Sequence, residues 1–466
     1  MSKNIGKLVS STNNFSGKRP KIIPYIAREQ RPRSEQDLES KSFSEVDFAE
    51  LSDGSIAEMI EDPQDATRTL FAVYRNQSIS CMDRVEDHGL VPLPRENENV
   101  KYVQLAQGAE PYGRVQDLKN EVDLILRSCL DLDANSLTMM TAFVISTWLQ
   151  ENAPIAPYLA LVGPPGSGKT TAMRVLNSIC YRGILTADIS ASAFYDLCDR
   201  IRPTLLLDET LTAGRPRELI HLLKVSSTPD AVSLRKGSAR LAYGPKVFAW
   251  LELPNDAALN SRCLILPMHR TSRTDLKNPS DRQILGSAKA ARKHLLYFRL
   301  EQFKNSVVPE LPSEVSLSAR PLDLYQAIAF PFVSDQHMCL KLARLVARQR
   351  QHQTEILSPP QTSLLRVLYV CIHQRAKMFV IPIKHLTAAV NNDLAQLGEG
   401  HRLNERKIGA ILTSLSLTNR SRTNEGYVLW LSHSDRERIH ASVRDYLIEE
   451  IRGYPVKKCA LCRRTA

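Results

Sequence analysis

A glycine-rich run at residues 163–171, GPPGSGKTT, carries the residue types that bind phosphate groups. Its spacing matches the pattern G-x-x-x-x-G-K-S/T, and it stands between a short apolar run and a helical pattern. Glycines let the backbone curl so that its amides face phosphate oxygens, and a helix amino terminus adds partial positive charge. The Lys169 ammonium group can reach the β- and γ-phosphates, and the Thr170 hydroxyl can ligate Mg²⁺. Rather than a chance glycine-rich turn, we therefore expect a site for ATP and Mg²⁺ formed by Gly163, Pro164, Pro165, Gly166, Ser167, Gly168, Lys169, Thr170 and Thr171.

Two acidic residues, Asp208 and Glu209, end the apolar segment TLLLDE at residues 204–209. Asp208 at the strand tip can hold Mg²⁺ through a water molecule, and Glu209 can polarise the water that attacks the γ-phosphate. The alternative is a strand that merely ends in a polar turn. The acidic pair lies one strand–helix unit after the phosphate loop, and this position favours the catalytic interpretation.

The elements that would position these groups alternate between strands and helices. Apolar runs predict strands at 158–162, 183–189, 204–208, 246–253 and 263–268, and apolar spacing predicts helices at 169–180, 190–201 and 217–225. Residues 280–350 are helical in pattern, with breaks at Pro309, Pro312 and Pro321. Alternating strands and helices imply an α/β fold with a mostly parallel sheet that is covered on both faces.

Composition limits the class of protein. The 466 residues carry 61 Lys and Arg against 50 Asp and Glu, a formal net charge of +11. No run of 18 apolar residues predicts a membrane span, and the first residues lack the apolar core of a secretory signal. Nine scattered cysteines are typical of reduced thiols rather than of a disulfide scaffold. We expect a cytoplasmic protein without a membrane partner.

Four segments together, GPPGSGKT, LLLDE, KVFAWLELP and ALNSRCLILPM, resemble the AAA+ P-loop ATPases in kind and order. The resemblance implies a three-layer sandwich, a helical lid and a ring of subunits, usually six. More narrowly, the chain resembles helicase-like ATPases of bacterial phages, plasmids and integrated mobile elements. Partners that it implies are DNA, further copies of the chain, and replication or mobile-element proteins.

Two arginines take roles by this resemblance. Arg262 matches the arginine that reaches the neighbouring subunit's γ-phosphate, and Arg320, in SARPLDLYQAIAF, matches a lid arginine that senses nucleotide in cis. The alternatives are a surface arginine in a loop for Arg262 and a helix-cap or lid salt bridge for Arg320. One position departs from the family, because Glu252 stands where a polar sensor, often Asn, is usual, and Asn255 lies just beyond Pro254.

The segment VSLRKGSARLAY at residues 232–243 predicts a hairpin with Gly237 at its turn. It places Arg235, Lys236 and Arg240 around the turn. In ring helicases of this general type, a hairpin here points into the pore and grips phosphates. The alternative is a solvated turn or an interface hairpin.

Residues 361–431 follow the order helix, strand, helix, helix, hairpin, which resembles a winged helix. Arg406 and Lys407 begin the third helix, the element that usually enters the major groove, and Arg420 and Arg422 lie in the wing. Residues 400–466 contain 13 basic and 7 acidic residues, so the positive charge is concentrated there, as DNA binding requires. Winged helices also dock proteins, and this alternative stays open.

The carboxyl-terminal tail, KKCALCRRTA, contains Cys459 and Cys462 in a CxxC spacing. Such a pair can be half of a zinc site. No second pair stands nearby in the sequence. His433 and His440 are candidate ligands, but they flank a charged helical stretch that is typical of a surface. The alternatives are a solvated tail with two thiols and a Zn²⁺ site.

The predicted organisation has six parts: a disordered polar segment at 1–55, a region without an assigned fold at 56–112, an AAA+ core at 113–275, a helical lid at 276–357, a winged helix at 358–435, and a helix with the CxxC tail at 436–466. These parts together predict an ATP-dependent DNA motor, a helicase or DNA-remodelling ATPase of a mobile element. An ATP-switched initiator, loader or transposition regulator is the first alternative, and a protein-remodelling ATPase is the second.

Overall fold

A computed structural model describes residues 43–463 except 209–216, 230, 236–237, 252, 255, 306, 318, 355–358, 375–379, 397–401, 416, 425 and 446–458. The chain divides into two compact units. The first runs to Glu310 and includes Gln326–Asp335, and the second comprises Leu311–Tyr325 and the chain from Gln336 onward. Within the described part, no helix is long and apolar enough to cross a membrane.

The first unit begins with a small β region. Its strands are β1 (Ser44–Val46), β2 (Phe48–Glu50), β3 (Ile56–Glu61), β4 (Thr69–Arg75), β5 (Ser78–Met82) and β6 (Leu90–Pro92). Strands β2 to β5 form an antiparallel sheet in chain order, and β1 pairs with β6 in parallel. The predicted disorder of residues 1–55 is therefore wrong from residue 43 onward, and residues 1–42 lie outside the described residues. Strands β1 and β2 are three residues each, too short to give a periodic pattern, and neighbouring elements order them.

An ion-pair network joins this sheet to the rest of the unit. Glu58 of β3 is buried, and its carboxylate lies 2.6 Å from an Arg182 guanidinium nitrogen and 2.8 Å from Arg299 Nε. Arg299 forms two further hydrogen bonds with Glu151, of 2.8 and 2.9 Å, and Arg182 also pairs with Asp47. Burial alone would raise the pKa of Glu151, but the Arg299 charge holds it below its ordinary value. Buried charges persist because each has an opposite partner.

Helices and the central sheet follow. In chain order they are α1 (Val115–Cys129), α2 (Ala134–Thr147), β7 (Tyr158–Val162), α3 (Lys169–Ile179), β8 (Ile184–Thr186), α4 (Ala191–Ile201), β9 (Leu205–Asp208), α5 (Arg217–Val225), β10 (Val232–Arg235), β11 (Ser238–Leu241), β12 (Lys246–Trp250), α6 (Ala257–Asn260), β13 (Cys263–Pro267) and α7 (Arg282–Gln302). Short 3-10 helices lie at Glu86–His88, Gln150–Asn152 and Phe330–Phe332.

The central sheet has five strands in the order β13-β7-β12-β9-β8, all parallel. The prediction of an α/β fold with a mostly parallel sheet is confirmed. Alternate residues of β7 point to opposite faces, yet Leu159 and Ala160 are both fully buried, so both faces are covered. After β7 the chain passes to β8 at the far edge, whereas after β12 it passes to β13 on the other side of β7. The loop that follows β7 thus lies where the direction of winding reverses, the usual place for a ligand.

The second unit holds α9 to α14, β14 to β16 and the start of α8. In chain order the elements are α8 (Arg320–Ala329), α9 (Gln336–Thr354), α10 (Pro359–Gln374), β14 (Val380–Pro382), α11 (Ile383–Gln396), α12 (Glu405–Ser414), β15 (Arg420–Thr423), β16 (Gly426–Trp430), α13 (His433–Asp445) and α14 (Ala460–Arg463). Strand β16 pairs antiparallel with both β14 and β15. The core of the second unit is mainly aliphatic, with Leu364, Ile408 and Leu429 almost fully buried. The element order from α10 to β16 is the one that the sequence predicts.

Candidate nucleotide site and nucleic-acid surfaces

The phosphate loop begins at Gly163, between the ends of two strands. The Gly163 amide donates to the Trp250 carbonyl at 3.1 Å, and the Met268 amide donates to the Val162 carbonyl at 2.7 Å. A Cβ atom on Gly163 would lie 2.1 Å from the Met268 carbonyl oxygen, far inside van der Waals contact. Glycine is therefore required here, and the loop entrance is fixed by the strands on both sides of β7.

Two further glycines form the turn that leads from the loop into helix α3. Gly166 and Gly168 have φ of +77° and +85°, in the left-handed region that favours glycine. Gly168 is the N-cap of α3, and the first helical hydrogen bond runs from the Ala172 amide to its carbonyl at 2.9 Å. The amides of the first helical turn have no acceptor within the helix, so this end of α3 favours an anion.

Polar side chains in the loop fit a phosphate ligand. The Lys169 ammonium group is largely buried and donates to the carbonyls of Gly163 at 2.6 Å and Pro164 at 3.0 Å. The Ser167 hydroxyl is buried and has no hydrogen-bond partner among the residues that the structure describes. Thr170, the predicted Mg²⁺ ligand, is exposed at the second position of α3. A buried cation, an unsatisfied hydroxyl and a helix amino terminus together suit the oxygens of a nucleotide phosphate.

A cleft of about 290 Å³ adjoins the loop. It is lined by Gly166, Ser167, Gly168 and Thr171 of the loop and α3, by Cys129–Asp131 at the end of α1, and by Met268, His269, Thr271 and Leu276–Pro279 after β13. The segment after β13 is hydrogen-bonded to the end of α1. Thr271 donates to the Asp131 carboxylate at 2.7 Å, and the Lys277 amide donates to the Ser128 carbonyl at 2.8 Å. The cleft offers space and apolar side chains beside a phosphate site.

Arg270 is a cationic residue at the loop that the motif does not include. Its Nε donates to the Pro165 carbonyl at 3.2 Å, and it would lie 3.7 Å from a Cβ atom on Gly166. The sequence shows it only as one arginine in a polar stretch after β13. Its position depends on the pairing of β13 with β7, which the sequence does not state.

Asp208 is the last residue of β9 and lies at the same edge of the sheet as the loop. In register it stands opposite Ala249 of β12, which in turn stands opposite Leu161 of β7. Two strand spacings, about 10 Å, therefore separate the backbones of Asp208 and Leu161. That separation leaves room for a hydrated metal ion. Glu209 lies outside the described residues, so its role stays a prediction.

Arg262 lies at the opposite edge of the sheet. Its carbonyl accepts from the Tyr158 amide at 3.4 Å, at the start of β7, whereas Gly163 follows the end of that strand. Five residues of extended chain, about 15 Å, separate the two edges. The guanidinium donates to the Ala258 carbonyl and to the Ser227 hydroxyl. Arg262 is therefore placed away from the predicted phosphate loop of this chain.

The other predicted nucleotide-sensing residues stay predictions. Arg320 is the first residue of α8 and belongs to the second unit, so its role as a lid sensor stays a prediction. Glu252 and Asn255 lie outside the described residues.

The predicted basic hairpin is formed by β10 and β11, which pair antiparallel from Val232–Leu241 to Arg235–Ser238. Arg240 is held within the chain, because its guanidinium lies 2.5 Å from the Asp196 carboxylate of α4. Leu234 lies on the face of the hairpin opposite Arg240 and is 81% exposed. Arg235 lies at the end of β10, and Lys236 lies outside the described residues. The hairpin thus presents an apolar side chain to solvent while Arg240 anchors it to α4.

Helix α12 and the following hairpin carry the second set of predicted DNA contacts. Asn404 caps α12 by accepting from the Lys407 amide at 2.9 Å, and the side chains of Arg406 and Lys407 are exposed. In the hairpin, exposed Arg422 stands opposite Tyr427, whose side chain is 55% exposed. The cationic side chains of α12 and of the hairpin, and the Tyr427 ring, are therefore accessible to solvent.

Arg420 differs from Arg422 because its guanidinium is bonded within the chain. Its guanidinium donates to the Gly409 carbonyl and to the Thr413 hydroxyl, both at 2.8 Å. It therefore joins β15 to α12 and positions the hairpin beside that helix.

Cys459 and Cys462 lie next to two histidines from other elements. His373 of α10 and His440 of α13 complete a group of four potential metal ligands within the second unit. The sequence gives no sign of His373. Of the two histidines that it offers as candidates, the structure places His440, and not His433, in this group.

Comparisons with known proteins find no family model and no curated protein that matches the chain. The chain is similar to solved structures of the apo NrS-1 C-terminal region (12% identity, 80% of this chain and 96% of that one, TM-score 0.36) and of SCCmec type IV Cch, described as an active helicase (13%, 85% and 80%, TM-score 0.42). A full-length MCM homolog from Methanopyrus kandleri is also similar (14%, 60% and 68%, TM-score 0.35). At these TM-scores the likeness carries no argument about the site, which rests on the geometry of this chain.

Proposed function

We propose that the chain is an AAA+ ATPase that couples ATP hydrolysis to movement on DNA, as a helicase or DNA-remodelling motor. The observation that carries the proposal is the phosphate loop, with Lys169 and Ser167 at the winding reversal of a parallel sheet and a cleft beside it. Lys169 and the amides at the start of α3 would bind the phosphates, and Thr170 and Asp208 would hold Mg²⁺. The adjoining cleft offers space for the rest of the nucleotide. When bound, Mg²⁺ neutralises charge that develops on the phosphates.

Hydrolysis needs groups on both sides of the γ-phosphate. In this account Glu209, one residue beyond Asp208, accepts a proton from the attacking water. Arg270 is close enough to the loop to stabilise phosphate charge within the same subunit.

The position of Arg262 supports an oligomer. It lies at the sheet edge away from its own phosphate loop, so any contact with a γ-phosphate is made to another subunit's nucleotide. For that contact the guanidinium must exchange the Ala258 and Ser227 oxygens for phosphate. A closed ring, with six subunits by resemblance, gives every site such a neighbour.

Two surfaces are proposed to contact DNA. The second unit acts as a winged helix, with Arg406 and Lys407 at the start of α12 directed to the duplex and Arg422 and Tyr427 in the wing beside it. Exposed arginine and lysine neutralise phosphates, and an exposed tyrosine can stack on a base or sugar. The hairpin of β10 and β11 is the grip that hydrolysis moves, through Arg235 and Lys236, which follow the exposed Leu234 in the sequence.

The second candidate function is an ATP-switched DNA-binding protein, such as an initiator or loader. Two observations favour it: Arg240 is paired within the chain rather than available to DNA, and the sensor position holds Glu252. Such a protein would bind DNA mainly through the second unit.

Hydrolysis measured with and without single-stranded DNA separates these functions. In a motor, Arg235→Ala/Lys236→Ala keeps basal hydrolysis and loses DNA stimulation, because the loop is intact and the grip is removed. Arg240 is left unchanged, since its loss would disturb the packing on α4. Leu234→Ser serves as a second hairpin variant that retains both charges. Equal stimulation in wild type and in the charge variant would leave the switch as the better account.

A further inference from the structure

Four side chains from distant parts of the chain converge in the second unit. The ligand atoms of His373, His440, Cys459 and Cys462 all lie within 4.8 Å of one another, and each side chain is partly buried. His373 is near the end of α10, His440 lies in α13, and the cysteines lie at α14. These elements are separate in sequence, so the CxxC pair meets two ligands that the sequence does not place beside it.

The distances are those of a ligand shell. His373 Nε2 lies 3.3 Å from Cys462 Sγ, and His440 Nε2 lies 3.4 Å from Cys459 Sγ. In a tetrahedron with zinc–sulfur bonds of about 2.3 Å and zinc–nitrogen bonds of about 2.0 Å, neighbouring ligand atoms are about 3.3–3.8 Å apart. These two pairs already lie near the tetrahedral distance, and no two ligand atoms of the group are more than 4.8 Å apart.

A backbone carbonyl orients each histidine ring through its Nδ1 atom. His373 Nδ1 lies 2.7 Å from the Tyr369 carbonyl, and His440 Nδ1 lies 2.7 Å from the Arg436 carbonyl. A backbone carbonyl can only accept, so each Nδ1 carries the proton and each Nε2 keeps its lone pair toward the sulfur atoms. Such outer contacts fix the tautomer and the ring direction of zinc-bound histidines.

A tyrosine supports one of the thiols. The Tyr369 hydroxyl lies 3.2 Å from Cys462 Sγ, where it can donate to a thiolate. Its ring also contacts both histidine rings, with centroids 4.1 Å from His373 and 5.4 Å from His440. Tyr369 thus packs the site on one side and stabilises the negative charge that a bound thiolate shares with the metal.

We propose that His373, His440, Cys459 and Cys462 form a structural Zn²⁺ site. Two thiolates and two imidazoles in a tetrahedral arrangement suit Zn²⁺ among the common metals. Four protein ligands fill the coordination shell, so no position remains for water or substrate, and the role is structural rather than catalytic. Binding deprotonates both thiols and releases the two protons to solvent.

The ion joins the end of the described chain to the core of the second unit. Cys462 packs against the apolar cluster that includes Leu364 and Ile408. Zinc would hold α14 against α10 and α13. The proposal does not depend on ATP hydrolysis, and each can fail without the other.

Metal analysis of the freshly purified full-length chain is the first test. We expect about one zinc per chain in wild type, and less than a tenth of that in Cys459→Ser/Cys462→Ser and in His373→Ala/His440→Ala. Matched controls use the same residue types elsewhere: Cys81→Ser, at an exposed cysteine, and His433→Ala, at an exposed histidine of α13. Both controls should keep the wild-type zinc content.

A second measurement on wild type covers the case in which the variants fail to fold. After chelation, Co²⁺ is added in equal amount, and tetrahedral cobalt with thiolate ligands gives visible d–d bands and a sulfur charge-transfer band. We expect both, and expect equimolar Zn²⁺ to remove them. Zinc-free protein that gives no such bands would overturn the proposal, as would zinc that stays bound in the double-cysteine variant.

Discussion

The Lys169 ammonium nitrogen lies 2.6 Å from the carbonyl oxygen of Gly163, the first residue of the loop that it closes. With the Pro164 carbonyl at 3.0 Å, this contact satisfies a largely buried charge without any phosphate. A bound nucleotide therefore has to replace carbonyl acceptors with phosphate oxygens, which carry more negative charge. The gain is a charge-assisted pair in place of hydrogen bonds to neutral groups.

Replacing Lys169 with Ala should weaken ATP binding by about ten- to a hundredfold, since a hydrogen bond to a charged group contributes about 1.5–3 kcal/mol. Titration with a fluorescent ATP analogue measures the change. Lys101→Ala, at an exposed lysine of the amino-terminal region, is the control and should bind as wild type does. Tight binding by Lys169→Ala would mean that nucleotide does not use this loop.

Arg262→Ala should retain ATP affinity and lose hydrolysis, because the residue lies away from its own loop. Mixing these subunits with Lys169→Ala subunits should restore part of the activity. A mixed interface pairs an intact nucleotide site on one subunit with an intact arginine on the next. The measurement is hydrolysis across a series of mixing ratios, with assembly followed by light scattering. Mixed oligomers that stay inactive at every ratio would place the action of Arg262 within its own subunit.

Glu58→Gln should destabilise the first unit strongly, because it removes the charge that two buried arginines share. Loss of one partner of a buried pair costs about 3–5 kcal/mol. Urea unfolding followed by circular dichroism measures the change in the free energy of unfolding. The control is Asp53→Asn, in an exposed pair with Arg75, which should leave the midpoint nearly unchanged. Equal midpoints in both variants would show that the network contributes little.

The second unit should bind DNA with a steep dependence on salt. Arg406→Ala/Lys407→Ala in the full chain should weaken binding and flatten the log–log salt slope by about 1.4–1.8, at about 0.7–0.9 for each phosphate that the variant no longer neutralises. Arg84→Ala/Lys101→Ala removes two exposed charges from the amino-terminal region and should keep the slope. An unaltered slope in the α12 variant would favour protein docking as the role of this unit.

Local signals predicted the glycine-rich turn between β7 and α3 and most elements of the central sheet. Each depends on residues near one another in the chain: Gly163, Gly166 and Gly168 need no distant partner to identify the turn, and β7 is a buried apolar run. Helix starts are also local, because Ser190 and Asn404 accept from amides of the first turns of α4 and α12 and are residue types that favour the N-cap.

Features that depend on tertiary contacts could not be predicted in this way. Strand β3 is buried on both faces, so it lacks the alternation of a surface strand, and Glu58 within it is explained by arginines far along the chain. The cleft wall after β13 and Arg270 depend on strand order. His373 reaches Cys462 across 89 positions, a separation at which ligand spacing gives no signal.

The most direct test of the central claim is strand separation on a forked DNA with ATP and Mg²⁺, followed by release of a labelled strand. We predict that wild type separates the strands only while ATP is hydrolysed. Glu209→Gln should bind ATP and DNA but release no strand, since the amide cannot accept a proton from water and general-base loss costs about 10²–10⁴ in rate. Glu96→Gln, at an exposed glutamate, should unwind as wild type does. Wild-type protein that hydrolyses ATP and binds the fork yet releases no strand would contradict the motor and leave an ATP-switched DNA-binding protein.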